Sequence, residues 1–416
     1  MLKKNFNEII TSVSVNDLTE LSNSDKIKLS IALFARFMVK AHVGWDEFPD
    51  KLKHKFSSKI EHLYHNPPQN NQELEKAMET ILLRCIPDNH CSILNANFQK
   101  VLSEDEAGLI TDAVINKHPQ THVGQNTVFT LQGNPEYNIL SLRKNGKEAI
   151  GIFEKDENGG KIGIISLSCC PQPNEVGCNL KNFIQTFENN LKNWDCVIWD
   201  VRGNRGGNSF IISEISNKLY GNTVSFCSSQ SLRMTPEAKY LHKIKFSNPQ
   251  DIKKLYEIHS HIKTPYYVMP CKEETQFNAQ KGFNKPVYII TDRRTSSSAE
   301  YVCGLYKHPK VKFVGEHTCG CGEFGDTVHL RLPCGSILQM GVWRYNIRCQ
   351  IKEGIGWAPT HPTLQGKDAY DQCLQIARKD LEKTSSKGLK KRLLNPTRDT
   401  QCVQSKANVV KYPYSR

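Results

Sequence analysis

Apolar residues near the start of the chain recur every three to four positions. From Asp25, the series Ile27, Leu29, Ile31, Ala32, Leu33 and Phe34 continues through Phe37, Met38 and Ala41, which predicts an amphipathic helix. Asp50 to Tyr64 places Leu52, Phe56, Ile60 and Leu63 at the same spacing, and Pro67-Pro68-Gln69-Asn70-Asn71 then breaks it. Gln72 to Cys85 forms a third such segment, with Leu74, Ala77, Met78, Ile81 and Leu82 on one face. A helical domain over residues 1–94 follows, running into Ile86-Pro87-Asp88-Asn89-His90.

The period then changes. Short alternating segments, Thr127 to Leu131 and Tyr137 to Leu142, predict strands in a small, mostly β connecting region over 95–160. It closes on a polar loop from Glu154 to Gly160. From 161 to 372 buried strands alternate with helices: strand Ile162 to Leu167, helix Leu180 to Leu191, strand Cys196 to Val201, helix Ser209 to Leu219. After a long polar insertion at about 222–284 come strand 286–291, helix 297–306 and strand 311–315. A hairpin follows, Val328 to Leu332 and Ile337 to Val342, joined by Pro333-Cys334-Gly335. This order predicts an α/β core whose active groups cluster at the carboxyl ends of its strands. Residues 373–416 read as a helix and a basic tail.

Composition narrows the partners. The formal net charge is +13, but residues 383–416 hold nine Lys and Arg against one acid, Asp399. The body is therefore only mildly basic, the tail reads as a solvated appendage, and no nucleic-acid partner is expected. No run approaches the roughly 18 apolar residues of a membrane helix, so no membrane span is expected. The N-terminal segment has lysines but no continuous apolar core and no small-residue cleavage site, so no secretory signal peptide is expected. With 15 scattered cysteines, this predicts reduced thiols and a cytoplasmic location, with export by a dedicated secretion apparatus equally compatible. His317, Cys319, Cys321 and His329 lie close in sequence, but the Cys-x-Cys spacing lacks a second pair at structural-zinc distances. Neither a metal nor another cofactor is expected.

Two segments carry candidate chemistry. In the first, strand Val287-Tyr288-Ile289-Ile290 runs through Asp292-Arg293-Arg294 into Ser296-Ser297-Ser298 and a helix-like Ala299-Glu300-Tyr301-Val302. Taken alone, serines there serve as a helix N-cap. A serine at such a junction also presents its hydroxyl at the sheet edge, with following amides at a helix N-terminus where negative charge is stabilised. Those are the needs of an acyl-transfer nucleophile. In the second, strand 196–201 enters Arg202-Gly203-Asn204-Arg205-Gly206-Gly207-Asn208, whose glycines let backbone amides approach a ligand. No Lys-Ser/Thr follows at the spacing of a Walker loop.

In their order, Asp-Val-Arg-x-Asn-x-Gly-Gly, Pro-Val-Tyr-Ile-Ile-Thr-Asp with Thr-x-Ser-Ser-Ala-Glu, and Val-Gly-Glu-x-Thr at 314–318 resemble the tail-specific protease family of serine peptidases. That family embraces C-terminal processing proteases, the tricorn core protease and the interphotoreceptor retinoid-binding protein repeats. The resemblance covers about 161–365 apart from the insertion, and 75–95 more weakly. It implies a ClpP/crotonase-like β-β-α core, here preceded by a helical bundle, with no PDZ pattern between the two. It makes Ser297 the nucleophile, and the amides of Ser298 and of Gly206 or Gly207 the oxyanion hole. The processing-protease lysine is replaced by Cys321 in Gly320-Cys321-Gly322. The tricorn-like branch instead has a histidine in a motif like Asp-Gly-His-Thr, matched by Asp88-Asn89-His90-Cys91, and a glutamate matched by Glu353 in Glu-x-x-Gly-x-x-Pro. The implied triad is Ser297, His90 and Glu353, in a peptidase acting on polypeptide or peptide substrates. The retinoid-binding repeats mark the alternative, a non-catalytic ligand-binding protein on the same scaffold.

Overall fold

The computed structural model describes residues 21–95, 125–245 and 264–394, except 146–147, 158–159, 174–178, 272–275, 350, 352 and 365–366, together with residues 253 and 257. Three helices open it: α1 (Asn23–Lys40), α2 (Asp50–His65) and α3 (Asn71–Cys85). Their starts follow from local chemistry. Ser22 accepts from the Asp25 amide and Asn70 from the Glu73 amide, each satisfying a donor that the first turn leaves open. The apolar faces read from the sequence, among them Ile31, Phe34, Phe56, Ile60, Leu74 and Met78, are buried together.

That core is completed by a sheet. Strand β1 (Ser92–Leu94) follows α3 and pairs antiparallel with β11 (Ile337–Ile347), as does β10 (Phe324–Arg331). Strands β6 (Cys227–Arg233) and β7 (Tyr266–Pro270) extend the same sheet in the order β1-β11-β6-β7. Leu232, Phe324, Val328, Leu338 and Met340 from this sheet pack into the helical core. The helices therefore do not form a unit apart. The segment read as a polar insertion supplies two strands and a helix, α7 (Pro236–Lys245). Its alternation is hidden because Ser228, Ser229, Gln230 and Ser231 form the exposed to half-buried middle of β6, between buried Cys227 and Leu232.

The second sheet holds seven strands in the order β12-β9-β8-β5-β4-β3-β2. These are β2 (Asn138–Asn145), β3 (Glu148–Glu157), β4 (Gly160–Leu167), β5 (Cys196–Asp200), β8 (Val287–Thr291), β9 (Val311–Gly315) and β12 (His361–Pro362). From β4 to β12 the pairing is parallel, while β2, β3 and β4 are antiparallel. Helices α5 (Leu180–Leu191) and α6 (Phe210–Tyr220) cover one face, where Phe183, Ile215, Val197, Trp199 and Ile289 meet. Helix α8 (Ala369–Leu394) covers the other, where Tyr370 and Cys373 meet Ile198, Tyr288 and Ile290. Burial on both faces explains why β5 and β8 read as continuous apolar runs.

Two local expectations change. Thr127 to Leu131 is not a strand. Asn126 accepts from the Val128 amide and starts a short helix, α4 (Thr127–Thr130); the N-cap side chain overrides a weak alternation. The Glu154–Gly160 segment is not a plain loop, because β3 runs to Glu157. Its charges sit in the sheet because they are paired: Lys161 reaches Glu154 at 2.8 Å, and Trp194 donates to the same carboxylate at 3.0 Å. Much of the expected connecting region, 96–124, and the tail beyond 394 lie outside the described residues. Among the described residues no helix is long and apolar enough to cross a membrane.

Candidate active site

Strands β5 and β8 are parallel neighbours, so the loops leaving their carboxyl ends lie side by side. They are stitched together. Asp292, just past β8, accepts from the amides of Gly203, Arg294 and Thr295 at 2.9–3.1 Å. The Ser296 amide donates to the Asn204 carbonyl at 3.0 Å, and the Thr295 hydroxyl donates to the Val201 carbonyl at 2.9 Å. Beneath the loops, Arg202 is buried between Asp200 and Asp368, donating to both at 2.9 Å. Desolvation alone would lower its value, but these two carboxylates raise it above the ordinary arginine range.

Ser297 begins a 3-10 helix, Ser297–Lys307, where the sequence predicts a helix, and its own φ is +52°. Left-handed backbone at a residue with a Cβ is uncommon and costs about 1–3 kcal/mol. Here it lifts the side chain out of the strand–helix turn. Gly206 runs directly alongside: a Cβ on it would lie 2.7 Å from the Ser297 Cβ and 3.0 Å from the Ser298 nitrogen. A Cβ on Gly207, with φ of +119°, would lie 2.3 Å from the Cys170 carbonyl oxygen.

The two glycines differ in what their amides do. The Gly206 amide donates to the Asn204 side chain at 2.9 Å and is thereby used within the loop. Of the two glycines offered by the sequence, Gly206 therefore contributes close approach rather than a donor. No protein acceptor bonds to the Gly207 or Ser298 amides among the described residues. The Ser298 hydroxyl donates to the Gly207 carbonyl at 2.7 Å and ties the loops together above the glycines.

His90 arrives from the other sheet. It lies in the turn between α3 and β1, and its carbonyl accepts from Gln339 of β11 at 3.1 Å. Its Nε2 stands 3.2 Å from Ser297 Oγ, across a separation of 207 residues. Cys321 Sγ is 3.4 Å from His90 Nδ1 and 3.5 Å from Nε2. A sulfur almost equidistant from both nitrogens lies over the ring face rather than on either lone pair. Burial, with Cys319 close by, pushes this thiol well above the ordinary cysteine range. The same holds for Cys91, where burial and the Asp88 charge act together.

Glu353 comes near but does not touch the ring as a hydrogen-bond partner. Its oxygens accept from the amides of Asn89 at 3.0 Å and Glu323 at 3.2 Å. Burial first, and then the charge of Asp88, raise it well above the ordinary glutamate range. The Asn89 side chain turns to the loop that carries Cys321, donating to the Gly320 carbonyl at 2.9 Å. Glu300, fully buried, accepts from the Thr318 hydroxyl at 2.5 Å and from the Gly320 and Cys321 amides at 2.9 and 2.7 Å, fixing the loop that carries Cys321.

Sequence spacing missed the surroundings of Asp88. This carboxylate accepts from the His90 amide at 2.7 Å and from His42 Nε2 at 2.8 Å. Burial opposes its charge, yet hydrogen bonds from His42 and His90 hold it well below the ordinary aspartate range. Asp88 was visible as part of the His90 motif; His42, at the end of α1, carried no signal of its own. Donor atoms of His42, Asp88 and Cys91, and of His90, Cys321 and Glu353, each lie within 4.8 Å of one another. His42 Nδ1 accepts from the Gly44 amide at 3.1 Å, so its proton sits on Nε2, facing Asp88 rather than offering a lone pair. His317, Cys319, Cys321 and His329 do not converge as a ligand set; His329 bonds Gln339 at 2.9 Å.

Ser297, His90 and the two open amides border a cleft of about 320 Å³. Tyr301, Phe324 and Tyr345 give it aromatic walls, with Arg205 and Asp326 at its polar side. A hydroxyl, an imidazole at hydrogen-bond distance and two amides without a protein acceptor on the same cleft are the groups that addition to a carbonyl uses.

Residues 161–359 match the model of peptidase family S41. Among solved structures, a putative peptidase from Parabacteroides merdae ATCC 43184 is 13% identical, with 86% of this chain and 97% of that chain covered and a TM-score of 0.51. Mature CPAF is 11% identical, covers 82% and 93%, and has a TM-score of 0.53. CPAF complexed with lactacystin is 12% identical, with 90% and 100% covered and a TM-score of 0.50. At such identities these likenesses establish the fold. No curated protein sequence matches the chain. The family match over residues 161–359 and the shared fold agree with the motif order of the strand-end loops, and residues 161–359 carry the peptidase family S41 pattern of the tail-specific proteases.

Proposed function

We propose that the protein is a serine endopeptidase that cleaves polypeptides through an acyl-enzyme on Ser297. The observation that carries this reading is the 3.2 Å approach of His90 Nε2 to Ser297 Oγ at the mouth of the cleft. His90 takes the hydroxyl proton as Ser297 attacks the scissile carbonyl, and returns it to the leaving amine. With Nε2 accepting from Ser297, the imidazole carries its own proton on Nδ1. The amides of Gly207 and Ser298 receive the oxyanion, since both lack a protein acceptor. Water then releases the acyl group. Glu353 supports His90 through the Asn89 amide.

Cys321 is not the nucleophile in this reading. Its sulfur packs on the imidazole face, and burial keeps it protonated. A fluorophosphonate probe tests the proposal. Stoichiometric labelling that maps to Ser297, vanishes in Ser297→Ala and falls sharply in His90→Ala is expected. A folded wild-type protein that takes no label, or takes it elsewhere, overturns the reading.

A further inference from the structure

The carboxylate closest to the base is not the glutamate that the family pattern names. Asp88 precedes His90 by two residues and is buried. One oxygen, Oδ1, accepts from the His90 amide at 2.7 Å and lies 3.7 Å from His90 Nδ1. The other, Oδ2, faces His42 Nε2 at 2.8 Å and Cys91 Sγ at 3.2 Å. His42 is fully buried against the rings of Phe48 and Phe324. Because its Nδ1 accepts from the Gly44 amide, its Nε2 proton is aimed at Asp88. Glu353 has no hydrogen bond to the imidazole, its oxygens being taken up by two backbone amides.

We propose that Asp88, held in place by His42, is the positioning carboxylate that orients His90 and stabilises its imidazolium, while Glu353 clamps the turn on which His90 sits. This rests on the serine-peptidase reading above. When Ser297 gives up its proton, positive charge appears on a ring shielded from water. A carboxylate within about 4–6 Å favours that charge. Four ionisable groups face His90: Asp88 from its own turn, Cys321 from the loop before β10, Glu353 from the loop after β11, and Glu300 from the 3-10 helix. Burial drives Cys321, Glu353 and Glu300 toward their neutral forms, and Asp88 alone among the four is held toward its charged form. Asp88 itself is faced by His42, His90 and Cys91. His42 thus brings the helices into the chemistry, since its Nε2 proton holds the Asp88 oxygen that the His90 amide does not.

The test measures the rate of fluorophosphonate labelling of the full chain against pH, with circular dichroism melts to confirm folding. Asp88→Asn is expected to slow labelling about 10- to 100-fold and to move the acid limb of the profile about one unit lower. Glu353→Gln is expected to leave the limb where it is, even where it slows the rate. His42→Gln, whose amide N–H reaches Asp88, is expected to recover most of the rate that His42→Ala loses. An unmoved limb in folded Asp88→Asn, or a limb moved by Glu353→Gln instead, overturns the inference. Should Asp88→Asn fail to fold, the His42 pair decides, and equal rates for His42→Gln and His42→Ala overturn it. Wild-type protein that does not label removes the peptidase reading first and this inference with it. Wild-type labelling with Asp88→Asn unchanged removes this inference alone.

Discussion

Gly206 and Ser297 are packed so closely that Gly206 has no room for a side chain: a Cβ on Gly206 would lie 2.7 Å from the Ser297 Cβ. Gly206 also has φ of +95°, where an L side chain is strained. Gly206→Ala must therefore push the 202–208 loop away from the serine turn, carrying the Gly207 amide with it. The expected outcome is a loss of fluorophosphonate labelling of about 100-fold or more, the scale of removing an oxyanion donor. The stability cost should be about 1–3 kcal/mol, read from urea denaturation.

Cys321 gives a prediction of the opposite kind. Its sulfur lies on the face of His90, but burial holds the thiol neutral. Iodoacetamide at neutral pH should leave labelling of Ser297 intact, with Cys321 unmodified by mass spectrometry. Cys321→Ala should fold and label within about tenfold of wild type, because it removes packing and no charge-bearing partner. Inactivation by iodoacetamide that tracks Cys321 modification would return the cysteine to candidacy as a nucleophile.

What the sequence made legible follows chain proximity. Ser297, Ser298, Gly206 and Gly207 sit at the ends of adjacent apolar strands, and strand-loop-helix order alone brings those ends together. His90 was legible through its motif, and the structure sets it 3.2 Å from Ser297. The partner of Asp88 was not legible. His42 meets Asp88 only because α1 and α3 pack on the β1-β11 sheet, and no spacing rule encodes that meeting. The choice between Gly206 and Gly207 was equally invisible, since it turns on where the Asn204 side chain points. The sheet that holds β1 and β11 was half-hidden because β6 carries three serines and β7 ends on a proline, both on a partly exposed surface.

Arg202 anchors the first of the two loops from beneath. It is 2% exposed and donates to Asp200 and Asp368. Arg202→Met would leave Asp200 buried without its cation. Breaking one partner of a buried pair costs about 3–5 kcal/mol. Urea denaturation should show a loss on that scale, whereas Asp368→Asn, at the more exposed partner, should cost about 1 kcal/mol. Near-equal losses would mean that Asp368, rather than Asp200, holds the guanidinium.

Asp88 also makes a prediction about stability and pH. Its folded value lies below its unfolded one. Between the two, the unfolded chain binds more protons, so stability rises with pH there. The contribution is fully present above the ordinary aspartate range near about pH 4 and is lost as pH falls through the folded value. Asp88→Asn should therefore be less stable than wild type by about 2–3 kcal/mol at neutral pH, with the difference shrinking in melts taken below about pH 4. Glu353 works with the opposite sign. Burial and the Asp88 charge raise its folded value, so its protonated form is favoured in the native state, and stability falls as pH climbs from the ordinary glutamate range. Removing the charge of Asp88 relieves part of that penalty, so the gap between wild type and Asp88→Asn should narrow again on the alkaline side. When both proteins compared carry Glu353→Gln, Asp88→Asn should show no second narrowing, and the acid-side convergence should remain. A gap that stays constant from acid to neutral pH would mean that Asp88 holds the turn by shape and not by charge.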